Sequence, residues 1–408
     1  MVTVASGRVA LLVLAALTAL SDAIFDLYIT WSVASDHGTF AAASLLTSSM
    51  LWAALLSLGV GWLVDRVDRR SLMLSGIGGS VVMLGLFLAA QSAILGSWFL
   101  CVAWVLVNNV FNACFSRAFV VVTSLLYDAD HYVRFSAQAA IIKRVVATGG
   151  VAVGGIAISQ FAGQWIALGC LAPLAVCLYL AARVKNGHGR AGPNPQAGTR
   201  RLRGDAALAV RYVVNDRAVR YFVIMLAVLN LAYGFVPTML PVVLGQLASS
   251  AAAMGWLRAA LALGEIVGLA VVTRAVAHVG AMFRVACLAC GAVVLMASLS
   301  PAVLVGIGCL VLYGAFDSLS QPVFSRMVSH IDPACRGRVL GLVDAVAQFP
   351  PAGGILLGTW LAGHALWWAG VYTLAVFIVG LVVAEVGGIT HAEPWPEDAE
   401  VAPAETCG

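Results

Sequence analysis

The chain has 408 residues, 62% of them hydrophobic and only 10% charged, with a mean hydropathy of +0.97. A water-soluble protein of this length needs far more polar surface, so the composition excludes that class and indicates an all-α, polytopic membrane protein. The formal net charge of +4 matters less than its placement, because basic residues sort to one side of a bilayer.

Polar breaks divide the chain into twelve apolar segments of spanning length: 9–34, 40–64, 71–92, 97–123, 136–159, 163–184, 219–244, 250–273, 282–300, 302–327, 338–361 and 365–388. Arg8 precedes the first segment, Arg66, Arg69 and Arg70 follow the second, and Arg134 lies between the fourth and fifth. The central loop is basic from Arg183 to Arg220, and Arg274, Arg284, Arg336 and Arg338 mark later loops of the same side. The alternate loops, around 35–39, 93–96, 160–164, 245–249, 299–301 and 362–364, hold no Lys or Arg. Both termini are therefore expected in the cytoplasm, with the chain in the inner (cytoplasmic) membrane. The first run is long enough to span and no small-residue cleavage site follows it, so no cleavable signal peptide is expected. Cys287 and Cys290 form a CxxC inside an apolar run, which reads as small-residue packing rather than redox chemistry.

The Gly/Pro-rich break at 186–205 separates six segments from six. The expected organisation is an N-terminal six-helix bundle (1–186), a cytoplasmic linker with an amphipathic segment (187–218), a C-terminal six-helix bundle (219–390) and a disordered acidic tail (391–408). An internal repeat supports the division. A shift of 204 residues places Asp128 on Asp332, Arg134 on Arg338, Gly149 and Gly150 on Gly353 and Gly354, and Gly154 on Gly358. The same shift places Arg70 on Arg274 and Asp26 on Asn230. Two parallel six-helix halves follow from such a repeat.

The stretch GWLVDRVDRR (61–70) resembles the loop signature of the major facilitator superfamily, through Gly61, Leu63, Asp65, Arg66, Arg69 and Arg70. Asp68 stands where that pattern prefers Gly. The resemblance covers nearly the whole chain. It implies two bundles rocking about a central cavity, with the motif's acid and arginines latching the cytoplasmic ends in the outward-facing state. GVAVGG (150–155) resembles the antiporter signature of the exporter-like branch, with Val151 in place of the proline. Gly150, Gly154 and Gly155 permit close helix approach. Only two lysines are present and neither lies in a phosphate-binding GxxxxGK[ST] motif, so an ion gradient is the expected energy source.

Ionisable groups inside a membrane cost about 2.5–3.5 kcal/mol each at a helix centre, so each needs a reason. In SDAIFDLY (21–28), Asp22 and Asp26 lie four apart and share a helix face. The resemblance makes helices one, four, seven and ten line the cavity. Their polar residues, together with cations of helices five and eight, give the candidate substrate site: Tyr28, Asn108, Asn109, Asn112, Lys143, Arg144, Asn230, Tyr233, Arg258, Ser320 and Gln321. Asp26, Asp22 and Asp317 are the candidate proton- or cation-coupling acids, because two close carboxylates do not both ionise readily in a partly dry cavity. For Asp22 the rival role is a structural hydrogen-bonding acid, and for Asp26 an inert pairing with Arg258, Lys143 or Arg144. Asp344 and Glu265 are weaker candidates on flanking helices.

The expected function is proton-coupled export of a small polar or charged organic molecule, such as a siderophore, metabolite or drug. The expected partners are that small molecule, protons and the bilayer, with no nucleic acid, no cofactor and a monomeric carrier. The alternatives are a divalent-metal exporter, similar in fold to ferroportin, using Asp22, Asp26 and Asn230, and a membrane sensor that no longer transports. No Ser/His pair, HExxH or GxGD-type pair lies within the spans, so no enzyme is expected.

Overall fold

The computed structural model describes residues 4–64, 67–126, 129–183, 210–272, 279–300, 302–320, 323, 343, 347 and 349–390. Among them there is no strand, and nine helical spans are long and apolar enough to cross a membrane. The linker residues 187–209, the tail 391–408, and Asp128, Arg274, Asp332, Arg338 and Asp344 lie outside the described residues.

The first half is built from α1 (Val4–His37), α2 (Thr39–Val64), α3 (Arg69–Gly96), α4 (Trp98–Leu126), α5 (Ala129–Gln160) and α6 (Gly163–Arg183). At 21 to 34 residues, each meets or exceeds the length of about 20 residues that a hydrocarbon layer about 30 Å thick requires at 1.5 Å per residue. The connections are correspondingly short. Gly38 joins α1 to α2 at φ +89, a left-handed conformation that glycine adopts without strain. Asp68 is the N-cap of α3, its carboxylate accepting from Ser71 N at 3.0 Å and from Ser71 Oγ at 2.9 Å. The acid that departs from the loop signature thus satisfies a helix end.

α1 packs against α2, α5 and α6, and α3 against α4 and α6. Leu11, Leu14, Ala15, Thr18, Ser21, Phe25 and Tyr28 recur at helical spacing along α1 and are all buried. Towards one end of the bundle Phe25, Phe87 and Trp104 close an aromatic core, with ring centroids 5.0–5.5 Å apart. Leu14, Met73, Ile77, Phe115, Phe119 and Cys177 form the core towards the other end.

The second half comprises α7 (Arg217–Phe235), α8 (Leu240–Leu247), α9 (Ala251–Val272), α10 (Val279–Leu299), α11 (Val303–Ser318), α12 (Phe349–His364) and α13 (Leu366–Val386). Asp216 caps α7, accepting from Val219 N at 3.0 Å. The seventh apolar segment is not one continuous helix. It turns between Phe235 and Leu240, where Pro237 and Pro241 remove two amide donors from the ladder. The internal repeat is visible in the helix pairings: α5 and α6 pack on α1 as α12 and α13 pack on α7, and α3 pairs with α4 and α6 as α10 pairs with α11 and α13. Gly150 faces Leu20 and Gly154 faces Ile24, whereas Gly354 faces Leu231 and Gly358 faces Phe235. The repeat would carry Leu20 to Ile224, so the equivalent glycines grip their partner helix at different heights.

The chain divides into two compact units, Met1–Gly198 with Ser249–Ala259, and Thr199–Ala248 with Ala260–Gly408. The first turns of α9 group with the N-terminal unit, where Gly255 meets Gly155 backbone to backbone.

Candidate functional site

α1 carries the acid pair at the middle of its apolar span, Arg8–His37. Ser21 and Phe25 face the bundle core, which turns Asp22 and Asp26 to the adjoining face; Asp22 is half-buried and Asp26 is exposed. Thr30 Oγ1 donates to the Asp26 carbonyl at 2.7 Å, and Ser21 Oγ donates to the Cys170 carbonyl on α6 at 3.1 Å. These bonds anchor the backbone on both sides of the pair while leaving the carboxylates to other partners.

Two cations of the same unit act on them. Asp22 feels the charges of Asp26 and of Lys143 on α5, and Asp26 feels that of Arg258 on α9. Lys143 Nζ also lies 5.1 Å from the Phe119 ring centroid, a cation–π contact that helps hold it inside the bundle. Arg144, the next residue, is exposed, as the 100° step of a helix requires. Both signs therefore converge on the middle of α1.

The antiporter-like glycines hold the same turns. A Cβ on Gly150 would lie 2.8 Å from Leu20 Cδ1, and one on Gly154 would lie 3.3 Å from Ile24 Cγ1. Leu20 and Ile24 alternate with Asp22 and Asp26, so α5 braces the segment that presents the acids. A Cβ on Gly155 would lie 2.8 Å from the Gly255 Cα and 2.9 Å from the Ala251 carbonyl. Sequence reasoning missed Gly255 as the partner of this motif, although it is the one glycine within the run AAAMGW.

Several of the predicted cavity residues have hydrogen-bond partners within their own unit. Tyr28 is only 6% exposed. Its ring abuts Phe87, with centroids 6.1 Å apart, and its hydroxyl accepts from Gln91 Nε2 at 2.7 Å. Its polarity is satisfied inside the N-terminal unit. Replacement Tyr28→Phe is expected to leave the half-buried Gln91 amide short of a partner, at about 1–3 kcal/mol. A lower melting temperature with unchanged transport per folded molecule would match that core role. Asn109 Nδ2 donates to Ser49 Oγ on α2 at 2.8 Å, and Asn112 Oδ1 accepts from Ser80 Oγ on α3 at 3.2 Å. Both amides tie α4 to its neighbours, while Asn108 is half-buried.

In the second unit, Asn230, Tyr233, Glu265 and Asp317 are half-buried. Ser320 Oγ donates to the Asp317 carbonyl at 2.7 Å, so this hydroxyl is engaged locally. Ser318 Oγ donates to the Glu265 carbonyl at 3.0 Å and joins α11 to α9. Gln321 lies outside the described residues, as do Asp65 and Arg66 of the loop motif. The backbone at Gly61 and Arg69 is helical, while Arg70 Nη2 donates to the Ala182 carbonyl at the end of α6. That bond joins α3 to α6 within the N-terminal unit. Among the described residues no group of three or more His, Cys, Asp or Glu side chains comes together to hold a metal ion.

No curated protein sequence matches the chain. Solved structures do match in fold. A mutant form of the nucleoside transporter NupG superposes with a TM-score of 0.75 at 12% identity, over 93% of this chain and 99% of that one. A POT family transporter in complex with 5-aminolevulinic acid gives 0.73 at 13% identity, over 94% and 97%. A bacterial homolog of the human lysosomal transporter Spinster, inward-facing and occupied, gives 0.70 at 12% identity, over 97% and 99%. At such identities the likeness concerns the fold alone. The family model of the Major Facilitator Superfamily, however, matches residues 11–334. With its apolar spans, its repeated helix pairings and that match over most of its length, this multi-pass membrane protein belongs to the Major Facilitator Superfamily.

Proposed function

We propose that the chain is a secondary active transporter that exports a small polar or charged organic molecule in exchange for protons, by alternating access. The observation that carries this reading is Asp26, an exposed carboxylate at the middle of an apolar span. An acid turned towards lipid there would cost several kcal/mol, so its exposed face belongs to a water-accessible path. A carboxylate on such a path takes up and releases protons as access alternates. Asp22, one turn away, keeps a second charge close enough for the two acids to influence one another.

The mixture of signs bears on the substrate. Lys143 and Arg258 set two cations against two carboxylates, which favours a zwitterionic or carboxylate-bearing molecule, such as a siderophore or polar metabolite, over a lipophilic cation. Asp317, Asn230 and Tyr233 extend the reading to the second unit as further cavity residues. The carrier works as a monomer in the inner membrane, both termini cytoplasmic, with the loop motif latching its cytoplasmic ends.

The test is a thermal-shift screen of the purified protein and its Asp26→Asn variant at two pH values. The ligands are divalent metals and a panel of siderophores, drugs and polar metabolites. A compound at a hundredfold over its Kd adds about 2.7 kcal/mol to apparent stability, enough to read. An organic ligand is expected to stabilise the wild type with a pH dependence that Asp26→Asn removes. Stabilisation by a divalent metal, lost in the variant, would instead establish a metal exporter.

A further inference from the structure

A second charged cluster lies at the start of α7, on the C-terminal unit. Arg217 is the first residue of the apolar span Arg217–Leu247, and Val386 is the last of the span Leu366–Val386. Arg217 Nη2 donates to the Val386 carbonyl at 3.3 Å. The bond joins two span ends at one edge of the apolar layer, the depth of phospholipid headgroups. Arg220 donates through Nη1 to the Val214 carbonyl at 2.6 Å. Both guanidiniums gather on one ring, their central carbons 5.9 Å and 5.8 Å from the Tyr221 centroid.

Two like charges three residues apart on a helix repel, so an arrangement that gathers them calls for an anion. Asp216 caps α7 through Val219 N, and Glu385 holds Arg284 through Nε at 2.6 Å and Nη2 at 3.1 Å. Arg217 and Arg220 are both exposed, and each guanidinium has N–H donors beyond the one bonded to a carbonyl. Paired donors of this kind suit phosphate oxygens better than a lysine's point charge does.

The segment just before α7 identifies the source of that phosphate. Val210 and Val214 are one helical turn apart and 47% and 54% exposed, beside an exposed Arg211. The bond from Arg220 back to Val214 holds this segment beside the first turn of α7. Exposed apolar side chains next to cations at the edge of a span match the amphipathic boundary of a bilayer, whereas free phosphate has no use for the valines.

We propose that Arg217 and Arg220, gathered on Tyr221, bind the phosphate of an anionic phospholipid, with Val210 and Val214 against its acyl region. The inference rests on the membrane fold and is independent of the transport reading.

The test presents the full-length protein, purified in mild detergent, with an equimolar mixture of phosphatidylglycerol and phosphatidylcholine and reads retained lipids by native mass spectrometry. The wild type is expected to retain phosphatidylglycerol at least tenfold over phosphatidylcholine. The double variant Arg217→Gln/Arg220→Gln is expected to lose that preference. Removing the half-buried Arg8 and the exposed Arg183 from the other unit, Arg8→Gln/Arg183→Gln, is expected to keep it. Equal retention of the two lipids by the wild type needs no variant to interpret and would overturn the proposal. Loss of the preference to the same extent in both double variants would overturn it too, as would displacement of the lipid by millimolar inorganic phosphate.

Discussion

Gly155→Ala is expected to destabilise the protein by about 1–3 kcal/mol, the range for forcing an extra methyl into a closed contact. The new Cβ would meet the Gly255 Cα at 2.8 Å and the Ala251 carbonyl at 2.9 Å. Both obstacles are backbone, so no rotamer change relieves them and α5 must draw away from α9. Gly155→Leu is expected to be worse and to abolish accumulation of folded protein. Gly149→Ala is the control from the same run of glycines. Nothing lies within 4 Å of its added methyl, and the helical preference of alanine over glycine is worth up to about 1 kcal/mol in its favour. Thermal unfolding of the detergent-solubilised variants checks both: the midpoint should fall for Gly155→Ala and hold or rise for Gly149→Ala. Equal midpoints for the two would mean that the α5–α9 contact is not closed as described. Gly150→Ala should fall between them, because its obstacle is the flexible end of Leu20.

The sequence made the membrane fold readable because a hydrocarbon layer imposes one length on every crossing. The break in the seventh segment was not read, although Pro237 and Pro241 were in view. A proline inside an apolar run marks either a kink or a break, and only the packing decides which. Tyr28, Asn109 and Asn112 show a different limit. Their polarity on helices expected to line a cavity pointed to a substrate, but a helix turns 100° per residue, and a polar group is equally at home facing Gln91, Ser49 or Ser80. Those partners sit on other helices, at separations that no local pattern records. The carboxylates were more legible. An ionised group at mid-span is too costly to be incidental, so Asp22 and Asp26 stand out by position alone. Arg258, whose charge reaches Asp26, was identified as a charged residue of its span, whereas the Gly155–Gly255 contact that brings its helix close became visible only in the fold.

Asp26→Asn should separate the coupling of transport from transport itself. The amide has nearly the shape of the carboxylic acid but neither gains nor loses a proton, so it imitates a carrier fixed in its protonated state. In an exchange cycle the carrier loaded with substrate and the carrier loaded with a proton move in opposite directions. A variant that cannot release its proton completes neither net export nor net proton entry. In vesicles reconstituted with a compound that stabilises the wild type, flux driven by a pH gradient is expected to fall about a hundredfold, equivalent to about 2.7 kcal/mol. Exchange of labelled for unlabelled compound requires no net proton movement and should remain within a few fold of the wild type. Asp22→Asn distinguishes its two roles by the same pair of assays. A structural acid would lose stability and both modes together, whereas a second coupling acid would follow Asp26→Asn and lose only the gradient-driven mode. A variant at Asp26 that still concentrates the compound against its gradient would assign coupling to another group, and Asp317 on α11 would then be the next carboxylate to replace.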